Sequence, residues 1–343
     1  MSEHVPRLRE FLERLLDGSD LAELQAEELL VLLTRVEQAP AMAGAILATL
    51  RCKGVVAAEL RGFARAMRKL ALRPDVPAGL PAIDIVGTGG DGSNSLNIST
   101  GTAIVVAACG LPVVKHGNRS VSSRAGSADV LAALGLKLPL DERAAASCLA
   151  ATGFTFLFAP YYHPAMKAVA PIRASLGVRT VFNILGPLSN PAQPPYHLLG
   201  AFSLETASLM AEAMSGLDIE RAFVVHGAAG WDEPTPVGPF TLFDVRPGRV
   251  SVEMRAPEEF GLDCCSVDDL QGGDPSHNAG ALRAVLVDGA RNPYRDSLLL
   301  GAALALEVAG EETAPDAAMA RASEAIDSGA AGRVLGSLAT FTA

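Results

Sequence analysis

The sequence predicts a two-domain architecture of mixed class, with a small all-helical N-terminal domain followed by a large α/β domain on a mostly parallel sheet. Three observations predict it. Residues 5 to 72 place apolar side chains at three- and four-residue spacing. A proline- and glycine-rich stretch, RPDVPAGLPA, follows at 73–82. Beyond it, short apolar runs alternate with helical stretches, the pattern of parallel strands joined by helices. A chain of 343 residues is long enough for two cores.

In order along the chain, LAELQAEELLVLLTRV follows Ser19–Asp20, either of which is an expected N-cap, and VVAAELRGFARAMRKLAL follows Gly54. The second of these helices is expected to stop before Arg73–Pro74, because a residue preceding proline is pushed out of the helical region. The expected strands are AIDIVG, LPVVKHG, FTFLFAP, HLLGAF and RAFVVHG. Helices are expected at STGTAIVVAACG, SADVLAALG and DERAAASCLAATG. The domain boundaries that follow are 1–72 for the helical domain, with a returning helical segment near 173–195, and 76–172 plus 196–343 for the α/β domain.

Composition narrows the function. With 49% hydrophobic and 19% charged residues the chain reads as soluble and globular. A net charge of −10 argues against broad attraction to nucleic acid or an anionic membrane. The longest apolar run, AIVVAACGLPVV, falls short of the ~18 residues a membrane span needs and contains Gly110 and Pro112. The N-terminal residues carry acids and lack a signal-peptide layout, and five cysteines without paired metal-ligand spacing read as free thiols. The expected location is cytoplasmic.

The stretch DIVGTGGDGSN, residues 84–94, has Gly87, Gly89 and Gly92 in dinucleotide-fold spacing. That fold needs an acid about 20 residues on, to hold the ribose. Here the position falls in PVVKHGNRSVSSRAGSAD, which supplies Lys115, Arg119 and Arg124 instead. No G-K-[ST] follows, so the loop is not a P-loop either. Backbone amides from Gly87 to Gly92, side chains of Asn97, Ser99, Thr100, Asn118 and Ser122, and three cations suit phosphate oxygens. A flexible turn and a solvated basic loop would explain either stretch alone. Both following consecutive strands points to a phosphate-rich ligand other than a dinucleotide.

GTGGDGSNSLNIST, VVKHGNRSVSSRAGSADVLAALG, FLFAPYYHPAMKAVAPIR and GVRTVFNILGPLSNPA, with LQGGDPSHNAGALRAVL and RDSLLLGAALAL, resemble the anthranilate phosphoribosyltransferases of tryptophan biosynthesis over nearly the whole chain. The resemblance implies transfer of the phosphoribosyl group of phosphoribosyl pyrophosphate to the amino group of anthranilate, with two Mg²⁺ ions and release of pyrophosphate. It also implies a homodimer formed through the helical domains, and no nucleic-acid or membrane partner. By resemblance, Gly87, Thr88, Gly89, Gly90, Asp91, Asn97, Ser99, Thr100, Lys115, Asn118 and Ser127 bind the donor. Gly87, His116, Asn118, Ala159, Pro160, His163, Met166 and Arg173 line the acceptor's path, with Arg173 on the carboxylate. Ser99, Asp232 and Glu233 are the implied metal ligands. No general base is required if the amine loses its proton late; Lys115 and Arg173 give electrostatic support. His226 and His277 read as structural or surface residues.

Two departures stand out. The acidic pair lies in AAGWDEPTPVGPFTLFDV, where the family pattern is nearer D-G-x-D-E, so Trp231 and Pro234 are expected to alter its backbone. Gly301 stands where members often have Asn. The rival readings are a pyrimidine nucleoside phosphorylase of the same fold, a transferase with another aminobenzoate acceptor, and a non-catalytic paralogue that binds nucleic acid. The acidic net charge and the retained acceptor and metal residues oppose the last of these.

Overall fold

A computed structural model describes residues 4–35, 39–120 and 124–342. The helical part begins with α1 (His4–Leu16), α2 (Glu23–Leu33), α3 (Pro40–Lys53) and α4 (Ala57–Leu70). The N-cap of α2 is Ala22, not Ser19 or Asp20. The Gln25 side chain accepts from Ala22 N at 3.0 Å and so does the work expected of a capping side chain, while Asp20 is drawn off to Lys53 at 2.6 Å. Helix α4 ends at Leu70, ahead of Arg73–Pro74 as expected. Glu59 joins the bundle internally: its buried carboxylate accepts from Leu21 N at 2.9 Å and Val56 N at 3.0 Å, with Lys53 at 3.0 Å.

The second part alternates β1 (Ile83–Gly87), α5 (Ile98–Ala108), β2 (Val113–Gly117), α6 (Ser127–Ala133), α7 (Glu142–Thr152) and β3 (Phe154–Phe158). The short α8 (Ala159–Tyr162), α9 (Ala170–Leu176) and α10 (Phe182–Leu185) precede β4 (Tyr196–Gly200), α11 (Leu204–Met214) and β5 (Arg221–His226). All five expected strands are present. Two more, β6 (Phe240–Arg246) and β7 (Arg249–Arg255), form an antiparallel hairpin on the sheet edge, followed by α12 (Pro275–Leu286), α13 (Pro293–Val308), α14 (Pro315–Asp327) and α15 (Ala330–Thr340). Among the described residues the sheet has order β3-β2-β1-β4-β5-β6-β7, parallel from β3 through β5. The chain leaves β1 toward β2 on one side and later returns to place β4 on the other. The C-terminal ends of β1 and β4, where Gly87 pairs with Gly200, are therefore the switch point at which ligands bind such sheets.

Strand alternation divides the core between two faces. Leu198, Phe223, Val225 and Leu242 pack with α5 and α13, whereas Leu199, Ala222, Val224 and Phe243 share a core with α1–α4 and α11. Ile172, Val181, Phe182 and Leu185 belong to that second core, so the segment around α9 and α10 packs with the helical part. Gly301, on α13, has a physical account: a Cβ there would lie 2.7 Å from Thr102 Oγ1 and 3.0 Å from Thr102 Cγ2 on α5. With Thr at 102, only glycine lets the two helices approach this closely. Among the described residues no helix is long and apolar enough to cross a membrane.

His197 lies fully buried on β4, and burial, reinforced by the Arg68 guanidinium, pushes its pKa down to about 3. An unfolded chain takes up a proton on this ring near the ordinary value of 6.5 while the folded one does not. The stability that the neutral ring contributes is thus complete above pH 6.5 and lost as pH falls toward 3. His197→Leu removes that dependence. The stability of the variant relative to wild type, measured by urea unfolding between pH 6 and 4.5, is expected to rise as pH falls, by up to about 1.4 kcal/mol per pH unit. A difference that stays flat with pH would show that His197 does not titrate in this way.

Candidate active site

The glycine loop leaves β1 at Gly87 and runs to α5. Gly89, Gly90 and Gly92 have φ of +66°, +71° and +80°, left-handed conformations that side chains disfavour, and these values explain the spacing without a dinucleotide. Asp91 closes the turn, its Oδ1 accepting from Ser93 N at 3.0 Å and Ser93 Oγ at 2.8 Å. Asn97 precedes α5 but spends its side chain on bracing, donating to the Ala125 carbonyl at 3.1 Å and accepting from Asn278 at 2.8 Å. Thr100 is fully buried, and its hydroxyl has no protein partner among the described residues. At the end of β2, Ser127 Oγ donates to the Asn118 carbonyl at 3.4 Å.

The three cations of the second loop separate in space. Lys115 points inward from β2 at 1% exposure; its Nζ donates to the Ile85 carbonyl and lies 3.2 Å from Ser99 Oγ. Arg119 and Arg124 are exposed at the surface, and Arg119 pairs loosely with Asp129 at 4.0 Å. One cation of three, not all three, stands at the glycine loop: Lys115 lies on β2 and points into the sheet's interior, whereas Arg119 and Arg124 follow the strand in the exposed connection to α6. Ser122 lies outside the described residues.

The acidic pair is folded directly onto this cradle. After β5 the chain turns sharply, with φ of +58° at Ala229 and +79° at Gly230, and Gly227 N donates to the Trp231 carbonyl at 2.8 Å. Trp231 sits in the core beneath the turn at 3% exposure. Trp231 thus anchors the strap from below. Asp232 Oδ2 accepts from Gly89 N at 2.5 Å and from Thr88 Oγ1 at 3.4 Å, and Glu233 Oε1 accepts from Ser99 N at 3.1 Å. Gly87 and Gly200 allow this approach: a Cβ at either position would overlap Asp232. Burial first, then the neighbouring Glu233 and Asp91 charges, hold the Asp232 carboxyl well above its ordinary range. Burial likewise raises Glu233, opposed by the Lys115 ammonium. In turn, burial lowers Lys115, opposed by Asp84, Glu233 and Asp232.

This set fits a magnesium ion. Buried Asp232 and half-buried Glu233, carboxylates of like charge, and the Ser99 hydroxyl are hard oxygen donors facing Lys115. Mg²⁺ binds in this manner, through one or two carboxylates plus substrate phosphates and not in an all-protein cage. Consistently, among the described residues no group of three His, Cys, Asp or Glu side chains is arranged to hold a metal by itself.

Of the residues that the resemblance gives to the acceptor, His116 lies on β2 and Ala159, Pro160, His163 and Met166 follow β3. His116 and His163 stand ring to ring, Nε2 to Nε2 at 3.1 Å, and His116 Nδ1 contacts the Gly186 carbonyl at 3.2 Å. Burial pushes His163 down to about 4 and His116 well below its ordinary value, so both rings are neutral at pH 7. Ala159 and Pro160 begin α8 directly after β3, and Met166 packs against the helical core. Arg173 is half-buried over the Phe182 ring at 5.1 Å. Its guanidinium has no ion pair among the described residues, and burial lowers its pKa. No hydrogen bond among those residues joins Arg173 to the histidine pair. His226 contacts the Ala201 carbonyl at 2.8 Å and His277 is exposed, in keeping with structural and surface roles.

Sequence reasoning missed a supporting set. Buried Asp84 accepts from His116 N at 3.1 Å and from Asn190 at 2.8 Å; Asn190 also donates to the Val114 carbonyl at 2.8 Å. Burial, opposed by Lys115, pushes Asp84 up to about 6. Arg179 and Asn278 were likewise inside recognisable blocks without an assigned role. The one available signal was a charged residue placed mid-strand in an otherwise apolar run, IDIV.

An anion cradle at the switch point of a sheet, strapped by acids and backed by a helical bundle, defines a phosphate-handling transferase, and comparison with known families agrees. Residues 79–332 match the glycosyl transferase family, a/b domain, and residues 9–71 match the glycosyl transferase family, helical bundle domain. An anthranilate phosphoribosyltransferase of Desulforudis audaxviator is 47% identical over 98% of this chain and 96% of its own length. The crystal structure of the Thermus thermophilus anthranilate phosphoribosyltransferase superimposes with a TM-score of 0.89 at 41% identity, covering 96% of this chain and 98% of that one. The Saccharomyces cerevisiae enzyme in complex with PRPP and Mg gives 0.87 at 29% identity, covering 98% and 97%. In complex with 4-fluoroanthranilate it gives 0.87 at 28%, covering 98% of each chain. The chain belongs to the anthranilate phosphoribosyltransferase family.

Proposed function

We propose that this protein transfers the phosphoribosyl group of phosphoribosyl pyrophosphate to the amino group of anthranilate, releasing pyrophosphate, as a step of tryptophan biosynthesis. The observation that carries the reading is the closure of Asp232 and Glu233 onto the glycine loop and the start of α5 beside Lys115. The yeast complexes with PRPP and Mg and with 4-fluoroanthranilate support both halves of the reaction.

In this reading Gly87–Asp91, Asn97, Ser99, Thr100, Lys115, Asn118 and Ser127 bind the donor. Ser99, Asp232 and Glu233 hold two Mg²⁺ ions, which when bound neutralise charge developing on the leaving pyrophosphate. As the C1–O bond breaks, the loop amides and Lys115 stabilise that leaving charge. Arg173 grips the acceptor's carboxylate through its planar fork, and the neutral His116–His163 pair, with Ala159, Pro160 and Met166, lines the ring's path. The attacking amine loses its proton after the new C–N bond forms, so no side chain is needed as a base. We further place the domain boundaries at 1–72 and 76–343, with residues 173–195 returning to the helical domain. The shared core of α1–α4 with Val181, Phe182 and Leu185 supports that division. A homodimer through the helical domains is supported by an apolar surface groove between α3 and α9, lined by Ala41, Ala45, Ala48 and Leu176. The proposed location is the cytoplasm.

The test is loss of anthranilate fluorescence on mixing with phosphoribosyl pyrophosphate and Mg²⁺. Magnesium-dependent consumption is expected. Folded protein that binds the donor but leaves anthranilate unchanged would assign the acceptor site to another amine.

A further inference from the structure

Arg179 lies six residues beyond Arg173, in the turn between α9 and α10, and has a different set of contacts. Its guanidinium donates to the Gly90 carbonyl of the glycine loop and stacks on the Phe202 ring with 4.4 Å to the centroid. Its own carbonyl accepts from Arg51 of α3 at 2.5 Å. One exposed residue therefore links the helical bundle, the returning segment, the end of β4 and the loop whose amides face the donor. Gly90 is also the position where restraint matters. At φ +71° it is one of two successive left-handed glycines, and a glycine pair has the greatest freedom of any stretch of chain. Asp91 braces the far side of the loop through Ser93 and accepts from Asp232 N at 3.3 Å, and neither contact engages the Gly90 carbonyl. Asp232 holds the Gly89 amide in the 88–89 peptide, and Arg179 on the Gly90 carbonyl fixes the 90–91 peptide, so the two bracket the 89–90 unit between them.

We infer that Arg179 is a positioning residue for the diphosphate donor: it acts through the Gly90 carbonyl to hold the loop amides in their binding geometry and couples that geometry to the helical bundle. A planar guanidinium can hydrogen-bond in its plane and stack on an aromatic face at once, which an ammonium cannot. The inference rests on the donor-site reading above, and donor binding tests it independently of turnover.

The experiment measures binding of phosphoribosyl pyrophosphate with Mg²⁺ by calorimetry, and steady-state KM values for both substrates, in wild type, Arg179→Ala, Arg179→Lys and Arg173→Ala. Loss of a charge-assisted hydrogen bond that orders the loop is expected to weaken donor binding and raise donor KM about tenfold in Arg179→Ala. The anthranilate KM should stay within about twofold, the reverse of the Arg173→Ala pattern. Arg179→Lys should recover part of the donor affinity, since its ammonium can reach the carbonyl but not hold the Phe202 face. Unchanged donor affinity in a folded Arg179→Ala protein would make Arg179 a surface cation, and a rise confined to the anthranilate KM would assign it to the acceptor; either overturns the inference. Wild-type protein that binds the donor without consuming anthranilate would instead unseat the acceptor assignment and leave the Arg179 comparison readable.

Discussion

Asp232→Asn and Glu233→Gln are each expected to lower magnesium-dependent turnover by about a thousandfold, since a metal clamp on a leaving diphosphate supplies several kcal/mol of charge stabilisation. Both changes keep shape and leave an oxygen able to accept from Gly89 N or Ser99 N, so the strap should remain in place. Stability is expected to move the other way. Without metal the native state holds two like charges, on buried Asp232 and half-buried Glu233, near Asp91, opposed by Lys115. Their folded pKa values are raised, so the folded state keeps protons that the unfolded chain releases. The stability of metal-free protein therefore falls as pH rises above the ordinary carboxylate range. Removing either charge should raise the unfolding temperature of metal-free protein at pH 7.5 and shrink the gain on adding Mg²⁺ with pyrophosphate. Activity assays and thermal unfolding with and without metal check both halves. A variant that keeps more than about a tenth of wild-type turnover would remove the pair from the metal site.

The second large effect is on the acceptor. Arg173→Ala is expected to raise the KM for anthranilate by about 10- to 100-fold, the range for losing a hydrogen bond to a charged group. The donor KM should change little. The argument is one of burial without a partner: a half-buried guanidinium, lowered in pKa by desolvation, stacks on Phe182 and has no carboxylate paired with it among the described residues. A carboxylate-bearing acceptor fills that deficit. Anthranilamide, which lacks the charge, should discriminate little between wild type and variant, whereas anthranilate should discriminate strongly. Equal KM values for anthranilate in the two proteins would place its carboxylate elsewhere.

Much of this protein was legible in its residues. The helical pattern to residue 72, the linker and the five parallel strands are local signals, set by side-chain periodicity and by where proline and glycine fall. The glycine loop was recognisable as a phosphate cradle because the required acid was missing and cations stood in its place. The hairpin of β6 and β7 was not found. β7 is largely exposed, and the period-2 alternation of Val250, Val252 and Met254 in RVSVEMR was the strand signal available for it.

What the tertiary structure alone decided is which groups meet. Three cations in ten residues looked equivalent in sequence, but β2 buries Lys115 at the cradle and ends before Arg119 and Arg124, which stay at the surface. Trp231, beside the acidic pair in sequence, is buried in the core beneath the strap. Gly301 had no reading until Thr102 was found against it. Asp84, Asn190 and Arg179 act on residues 32, 76 and 89 positions away in the chain. Periodicity and turn chemistry act over a few residues and can be read from the order of side chains. Pairings across such separations exist only once the sheet has set its strand order, because nothing local in either partner specifies the other.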